Sequence, residues 1–264
     1  MLKGAIHIHS TYSDGEFTLG ELRRVLIASG CQFVCMTDHA EFFDSVKLDA
    51  YARECESLSD DRFRFIAGLE YTCDKRMHVL GLGVTSLAGT TDPQQVIRYI
   101  EDQAGLSVIA HPMDSMFDSI ETFETLPNGI ETWNSKYDGR YAPRPRTFRL
   151  LERLQQRKPE MCAFYGIDLH WRKQFRGLLN IVQTTELSPQ PILSAIRAGD
   201  YFAMKGELEL PSSGVLSEGL IARFKREHAR SDRLRRIAKK VKKATSRVGL
   251  APTGGLKAQL RRIF

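Results

Sequence analysis

Two histidines one residue apart, His7 and His9, open the run His7-Ile8-His9-Ser10-Thr11-Tyr12-Ser13-Asp14-Gly15. Imidazole is the commonest metal-ligating side chain. The preceding Gly4-Ala5-Ile6 reads as the end of a strand. Strand alternation sends both imidazoles to one face, about 7 Å apart, where they can grip one cation without backbone distortion. The turn Ser13-Asp14-Gly15 brings a carboxylate back to the same point. His-x-His alone fits a buried, hydrogen-bonded pair equally well, so the rest of the chain must decide.

Further ligand-type residues stand at one strand end after another. Thr37-Asp38-His39 follows an apolar run from Gln32. Glu70 follows Ile66-Ala67-Gly68-Leu69, and His78 opens Val79-Leu80-Gly81-Leu82. His111-Pro112 follows Val108-Ile109-Ala110, Glu131 and Asn134 flank Trp133, and Asp168-Leu169-His170 follows Phe164-Tyr165-Gly166. Six of the seven histidines occupy these positions; only His228 does not. So many imidazoles and carboxylates would be hard to desolvate together without a cation. Jointly they point to a metal cluster.

The elements that must position these residues alternate strand with helix. Thr18 and Glu21 have capping-box spacing ahead of a helix ending at Gly30. Helices are expected over 46–58, from Asp92-Pro93 to Gly105, over 147–156, and from Ser188-Pro189 to Gly199. Strands are expected over 32–37, 63–69, 77–84, 106–110, 129–133, 161–165, 178–184 and 201–204. This alternation argues a parallel sheet with right-handed crossovers. Ligands drawn from many strands suit a closed barrel, whose carboxyl ends share one mouth, better than a doubly wound sheet with one crevice.

Size and composition agree: 264 residues, 42% hydrophobic and 27% charged, are those of an ordinary globular protein. No apolar run approaches a membrane span, and the six residues before His7 leave no room for an apolar leader. Five cysteines without Cys-x-x-Cys spacing, mostly in apolar surroundings, suit buried thiols in a reducing cytoplasm. The net charge of +6 is unevenly spread: residues 217–264 hold 15 Lys and Arg against three acidic residues, a balance of +12. The first 216 residues are left with 23 basic and 29 acidic residues, a balance of −6. The boundary is expected near Ser212-Ser213-Gly214, giving a body over 1–214 and a basic, helical extension over 215–264.

The set His7-x-His9, Ser13-Asp14-Gly15, Thr37-Asp38-His39, Glu70, His78, His111-Pro112 and Asp168-x-His170 resembles the PHP family, named for polymerase and histidinol phosphatase, over about residues 4–210. The resemblance implies an α/β fold, a distorted (β/α)7 barrel with two or three divalent metals at its carboxyl-terminal mouth. Carried over by position, His7, His9, Glu70 and Asp168 would hold one ion, and Glu70 would bridge to a second completed by His78 and His111. Asp14, His39 and His170 would hold a third; many relatives have histidine where Asp14 stands. His7, His9, Glu70, Asp168 and His170 would thereby carry the catalytic work. Asp38 is expected to orient a liganding imidazole, with Glu131 and Asn134 also behind the ligands.

The resemblance implies a hydrolase, and clustered cations about 3.5–4 Å apart favour phosphate, since they can hold a bridging hydroxide and clamp an in-line displacement. The expected activity is therefore phosphoesterase or phosphatase action on a phosphate monoester or small (oligo)nucleotide. Ester or amide hydrolysis on the same scaffold is the alternative. Mixed N/O ligands suit Mn, Fe or Zn rather than Mg alone. Lys136, Arg140, Arg144 and Arg146 follow the Glu131 strand and could meet the substrate phosphate, or be a solvated basic loop. In the extension, Ile221, Phe224, Leu234, Ile237, Val241 and Val248 recur at near-helical spacing, and a second piece covers Leu256 to Phe264. A helix packed on the barrel, a nucleic-acid contact through 217–264, with or without cleavage at the mouth, and a membrane-surface helix all fit it.

Overall fold

The computed structural model describes residues 1–139 and 142–247. In chain order it contains β1 (Leu2–Ile8), α1 (Leu19–Ala28), β2 (Phe33–Met36), β3 (Asp38–His39), α2 (Ser45–Ser57), β4 (Arg64–Ile66) and β5 (Gly68–Thr72). There follow β6 (His78–Leu82), α3 (Pro93–Asp102), β7 (Leu106–Ala110), α4 (Phe117–Glu121), β8 (Gly129–Asn134) and α5 (Pro145–Gln155). The series ends with β9 (Cys162–Gly166), β10 (Leu179–Val182), α6 (Pro189–Arg197), β11 (Tyr201–Lys205), β12 (Leu208–Pro211) and α7 (Glu218–Arg247). The expected second helical piece, Leu256 to Phe264, lies outside the described residues.

Local chemistry accounts for most of these elements. Thr18 caps α1 with the reciprocal Glu21 bond, and Asp92 accepts from the Gln95 amide while Pro93 starts α3. One face of each helix is apolar and buried: Leu19, Leu22 and Leu26 on α1, Val96, Ile97 and Ile100 on α3, and Leu150, Leu151 and Leu154 on α5. Burying each such side chain contributes about 1.5–3 kcal/mol. The short helix α4 and the strand β12 have no counterpart among the expected elements. β12 pairs antiparallel with β11 and extends the β10–β11 ribbon.

Two six-stranded sheets, β12-β11-β10-β1-β2-β4 and β3-β5-β6-β7-β8-β9, together form a distorted α/β barrel. β2 and β3 are one stave interrupted at Thr37, and β4 and β5 another interrupted at Ala67, so the strand expected over 63–69 divides between the sheets. The wall closes where Ile8 bridges Leu169 and the Ile167 amide donates to the Ile6 carbonyl at 3.0 Å. Counting each interrupted stave once and setting aside the β10–β12 ribbon, seven staves surround the core.

The wall is not all parallel. β6 runs antiparallel to both β5 and β7, and β10 pairs antiparallel with β1. The link from Thr72 to His78 is too short for a crossover and can join only antiparallel strands. α3 leaves and returns at the same end, where Leu82 faces Leu106. The reversal is useful: with Thr72 opposite His78 and His78 opposite Ala110, the start of β6 lies at the end of the barrel where β5 and β7 finish.

The chain divides into two units between Leu216 and Ser217. The second contains the 30-residue helix α7. Among the described residues no helix is long and apolar enough to cross a membrane. All five cysteines are free and buried.

Candidate metal centre

The strand ends deliver the expected residues to one pocket. His7 and His9 come from the end of β1, His39 from β3, Glu70 from β5, His78 from the reversed β6, His111 from the end of β7, and Asp168 and His170 from beyond β9. Six imidazoles meet there, with neighbouring ring centroids 3.9 Å apart for His9–His170, 4.7 Å for His9–His39 and 5.2 Å for both His7–His9 and His78–His111.

The backbone bends to achieve this. His7 has φ +66°, and the pairing of β1 with β2 slips between Ile6 and Ile8. The expectation of two histidines presented by an undistorted strand is therefore corrected: a bulge re-aims His7. His111 at φ +28° and Asp168 at φ +54° are also in the left-handed region, which costs a non-glycine residue of order 1–3 kcal/mol. Gly166 leaves space that a Cβ would take from the Glu131 carboxylate.

Glu70 is the hub. Its Oε2 lies 3.2 Å from both His7 Nε2 and His9 Nε2 and 3.6 Å from His39 Nδ1. Its Oε1 lies 2.8 Å from His78 Nδ1 and 3.2 Å from His111 Nε2. Asp168 Oδ1 is 3.6 Å from His9 Nε2 and 3.1 Å from His170 Nδ1. Asp14 Oδ1 lies 3.3 Å from His170 Nε2 and 3.8 Å from both His9 Nδ1 and His39 Nε2.

Four overlapping groups have ligand atoms within 4.8 Å of one another: His9, Asp14, His39 and His170; His7, His9 and Asp168; His7, Glu70 and His111; His39, Glu70 and His78. The set expected around Asp14 gathers with His9 added. His78 and His111, expected on one ion, both face Glu70 but group with His39 and His7 respectively.

Electrostatics show that the cluster suits a cation. Burial opposes charge on His7, but Glu131, Glu70 and Asp168 outweigh it and raise its pKa well above the usual imidazole value. Burial likewise opposes charge on Glu70 and Asp168, yet the imidazoles, His7 foremost, pull both well below the carboxylate range. Burial drives His9 down to about 3. Although His9 Nε2 is close to Glu70, neither of its buried ring nitrogens is aligned for a hydrogen bond, and His39 Nδ1 is likewise unpartnered. Buried imidazole nitrogens left unpartnered beside carboxylates are a donor set that divalent metals fit.

Behind this layer, His7 Nδ1 donates to Glu131 Oε1 at 2.7 Å, and Glu131 Oε2 accepts from the His111 amide and from Asn134 Nδ2, each at 2.9 Å. Asn134 Nδ2 also reaches Asp168 Oδ2 at 3.3 Å. Glu131 and Asn134 thus contact His7 and Asp168 from behind. Asp38 does not orient an imidazole, which corrects that expectation. It accepts from the Ser10 amide (2.8 Å) and hydroxyl (2.9 Å) and from the Ser13 amide (3.1 Å) and hydroxyl (2.7 Å), fixing the loop that carries Asp14. Both serines went unremarked as partners because nothing in their spacing says which carboxylate they will meet.

The basic residues after β8 separate. Lys136 Nζ donates to Asp168 Oδ1 at 3.0 Å and to His170 Nδ1 at 3.2 Å, placing an ammonium at the pocket. Arg144 pairs with Asp138 and lies 4.0 Å from Asp114, and the exposed Arg146 pairs with Asp114 at 2.7 Å. Arg140 lies outside the described residues. Three rim aromatics also escaped the sequence reading: Phe42, Tyr137 and Trp171. Their signal was proximity, since Phe42 follows His39 by three positions, Trp171 follows His170 by one and Tyr137 follows Lys136 by one.

Solved structures of other proteins share this fold. A two-domain protein of Bacteroides vulgatus, described as containing a predicted PHP-like metal-dependent phosphoesterase, superposes with a TM-score of 0.54 at 18% identity, covering 79% of this chain and 66% of that one. PsfC from Pseudomonas syringae superposes with a TM-score of 0.51 at 12% identity, over 78% of this chain and 92% of its own. At these identities the likeness is one of fold. In sequence, the chain is 32% identical over 77 residues to the DNA polymerase/3′-5′ exonuclease PolX of Bacillus subtilis, a match that takes in 26% of this chain and only 14% of that polymerase. The PHP domain model matches residues 5–249, and the chain belongs to the PHP domain family.

Proposed function

We propose that this protein is a metal-dependent phosphoesterase acting on a phosphate monoester or small (oligo)nucleotide. The observation that carries this reading is the convergence of six imidazoles with Glu70, Asp168 and Asp14, two of the imidazoles having unpartnered buried nitrogens. His7, His9, Asp14, His39, Glu70, His78, His111, Asp168 and His170 are assigned as ligands of two or three divalent ions, Mn, Fe or Zn in preference to Mg. Such ions, when bound, supply Lewis acidity and an activated water beside a phosphoryl group.

The chain's own residues supply the rest. Glu131 accepts from His7 Nδ1 and so turns the ring to face Nε2 into the pocket, where a bound ion would take the place of the Nε2 proton. Asn134 fixes Asp168 from behind. Lys136, a cation already at the pocket edge, binds and orients the substrate anion. The free, buried thiols are compatible with a cytoplasmic protein.

The test is hydrolysis of a broad phosphoester panel with Mn²⁺ present or chelated, for the wild type and Asp168→Ala. Chelator-sensitive turnover lost in the variant supports the reading. Metal-loaded protein inert toward every phosphoester, but active on carboxyl esters or amides, would replace it with the other hydrolase reading. The short match to a polymerase/exonuclease and the +12 balance of residues 217–264 favour one specialised version, a nuclease whose extension holds the strand. Oligonucleotide degradation by the full chain, weakening steeply with salt, is its signature.

A further inference from the structure

The described residues include three exposed aromatic side chains, Phe42 (46% exposed), Tyr137 (53%) and Trp171 (46%). All three rim the metal centre. Phe42 lies 6.3 Å from the His39 ring, Tyr137 4.6 Å from the His111 ring and Trp171 5.7 Å from the His170 ring, centroid to centroid. The other exposed apolar residues are aliphatic: Met1, Ile27, Val46, Leu87, Met113 and Val215. Scattered exposed aliphatic residues need no explanation, whereas aromatic rings confined to one rim do.

One ring lies against the pocket's ammonium, and a second lies against the imidazole that the ammonium meets. Lys136 Nζ lies 5.1 Å from the Tyr137 ring centre and 3.2 Å from His170 Nδ1, and the next residue along from His170 is Trp171. A phosphate drawn to Lys136 and the ligand cluster would hold whatever it esterifies at this rim. Aromatic faces there favour a flat π-system, and stacking tolerates any base because every base has a π-face.

Resting on the phosphoesterase reading, we propose that Trp171 and Tyr137, with Phe42 beside His39, form a stacking platform that selects nucleobase-bearing phosphoesters over sugar phosphates of the same charge. The rings set specificity, while the buried cluster acts on the phosphate.

The experiment compares a purine nucleoside 5′-phosphate with ribose 5-phosphate on the Mn²⁺-loaded full-length protein. The expected kcat/KM ratio favours the nucleotide by about tenfold or more, and Trp171→Ala or Tyr137→Ala collapses that ratio by about tenfold, chiefly through KM. A second readout needs no turnover. The chain has two tryptophans, Trp133 buried and Trp171 exposed, so nucleotide but not ribose phosphate should quench fluorescence, and Trp171→Phe should abolish the response. Equal use of both substrates, with both alanine variants leaving the ratio unchanged, overturns the platform and leaves the phosphoesterase reading standing. Selective quenching without hydrolysis of any phosphoester keeps the platform and sinks the phosphoesterase. Absence of both quenching and selectivity overturns the platform outright.

Discussion

The barrel wall and the barrel mouth obey different rules. In the wall, Leu22, Ile100 and Leu150 are fully buried, strands pair in register, and helix ends are satisfied by Thr18, Asp92 and Pro93. At the mouth, the ligand residues His7, His111 and Asp168 have positive φ, His9 is buried with no hydrogen-bond partner, and aromatic rings face solvent. Each departure costs free energy that a scaffold alone would not retain. Departures concentrated at one end mark where the molecule binds something.

The sharpest way to break this contrast is at its hub. Glu70→Ala should lower kcat about a thousandfold or more, the rate equivalent of the several kcal/mol a Lewis-acidic centre supplies, and metal analysis should show lost occupancy. The same variant gives up the stability that the ionised carboxylate draws from the imidazoles, but should keep its fold by circular dichroism. Ile100→Ala in the wall should do the reverse, costing about 2–5 kcal/mol in denaturant unfolding while metal content is kept. A wall variant that emptied the mouth of metal would erase the distinction.

Glu131→Gln tests the layer between them. It keeps size but weakens the grip on His7, and should reduce metal affinity about 10–100-fold by competition with a chelator. An acid titration of the chelated protein sharpens the comparison further. His9, held down to about 3 in the fold and near 6.5 unfolded, lets the unfolded chain bind an extra proton between those values. Metal-free stability from this group should therefore fall as pH drops from about 6.5 towards 3, and His9→Gln should flatten that slope. Glu70 and Asp168, with lowered values, add stability above the ordinary carboxylate range that is lost at lower pH still. The smallest effect belongs to the wall: Thr18→Ala, which removes the α1 cap, should cost about 0.5–2 kcal/mol in thermal unfolding and leave activity unchanged.

Much of the fold was legible because its signals are local. Asp92-Pro93, Thr18 with Glu21 and the apolar run at Leu106 each report on their own neighbourhood, and α3, α1 and β7 formed where those signals stand. The direction of β6 was less legible, since alternation of helix and strand says nothing about a helix that leaves and returns at one end. The ligand types were readable as a set, six histidines at strand ends, but their grouping depends on the His7 bulge and the Glu70 position. Lys136 and Arg146 looked alike in sequence; only the turn after β8, held by Asn134 and Asp138, sends one to Asp168 and leaves the other on Asp114. The partners of Asp38 are not legible in sequence, because Ser10 and Ser13 reach it through a loop.

The reversed strand β6 also bears on how the chain assembles. Glu70 and His78 are eight positions apart across one hairpin, whereas His7 and Glu131 are separated by 124. One side of the cluster can therefore form among near neighbours, with little loop entropy to overcome, while the other waits for the first strand to meet the ninth. Hydrogen exchange during refolding should protect the Glu70 hairpin first and the seam between Ile6 and Ile167 last.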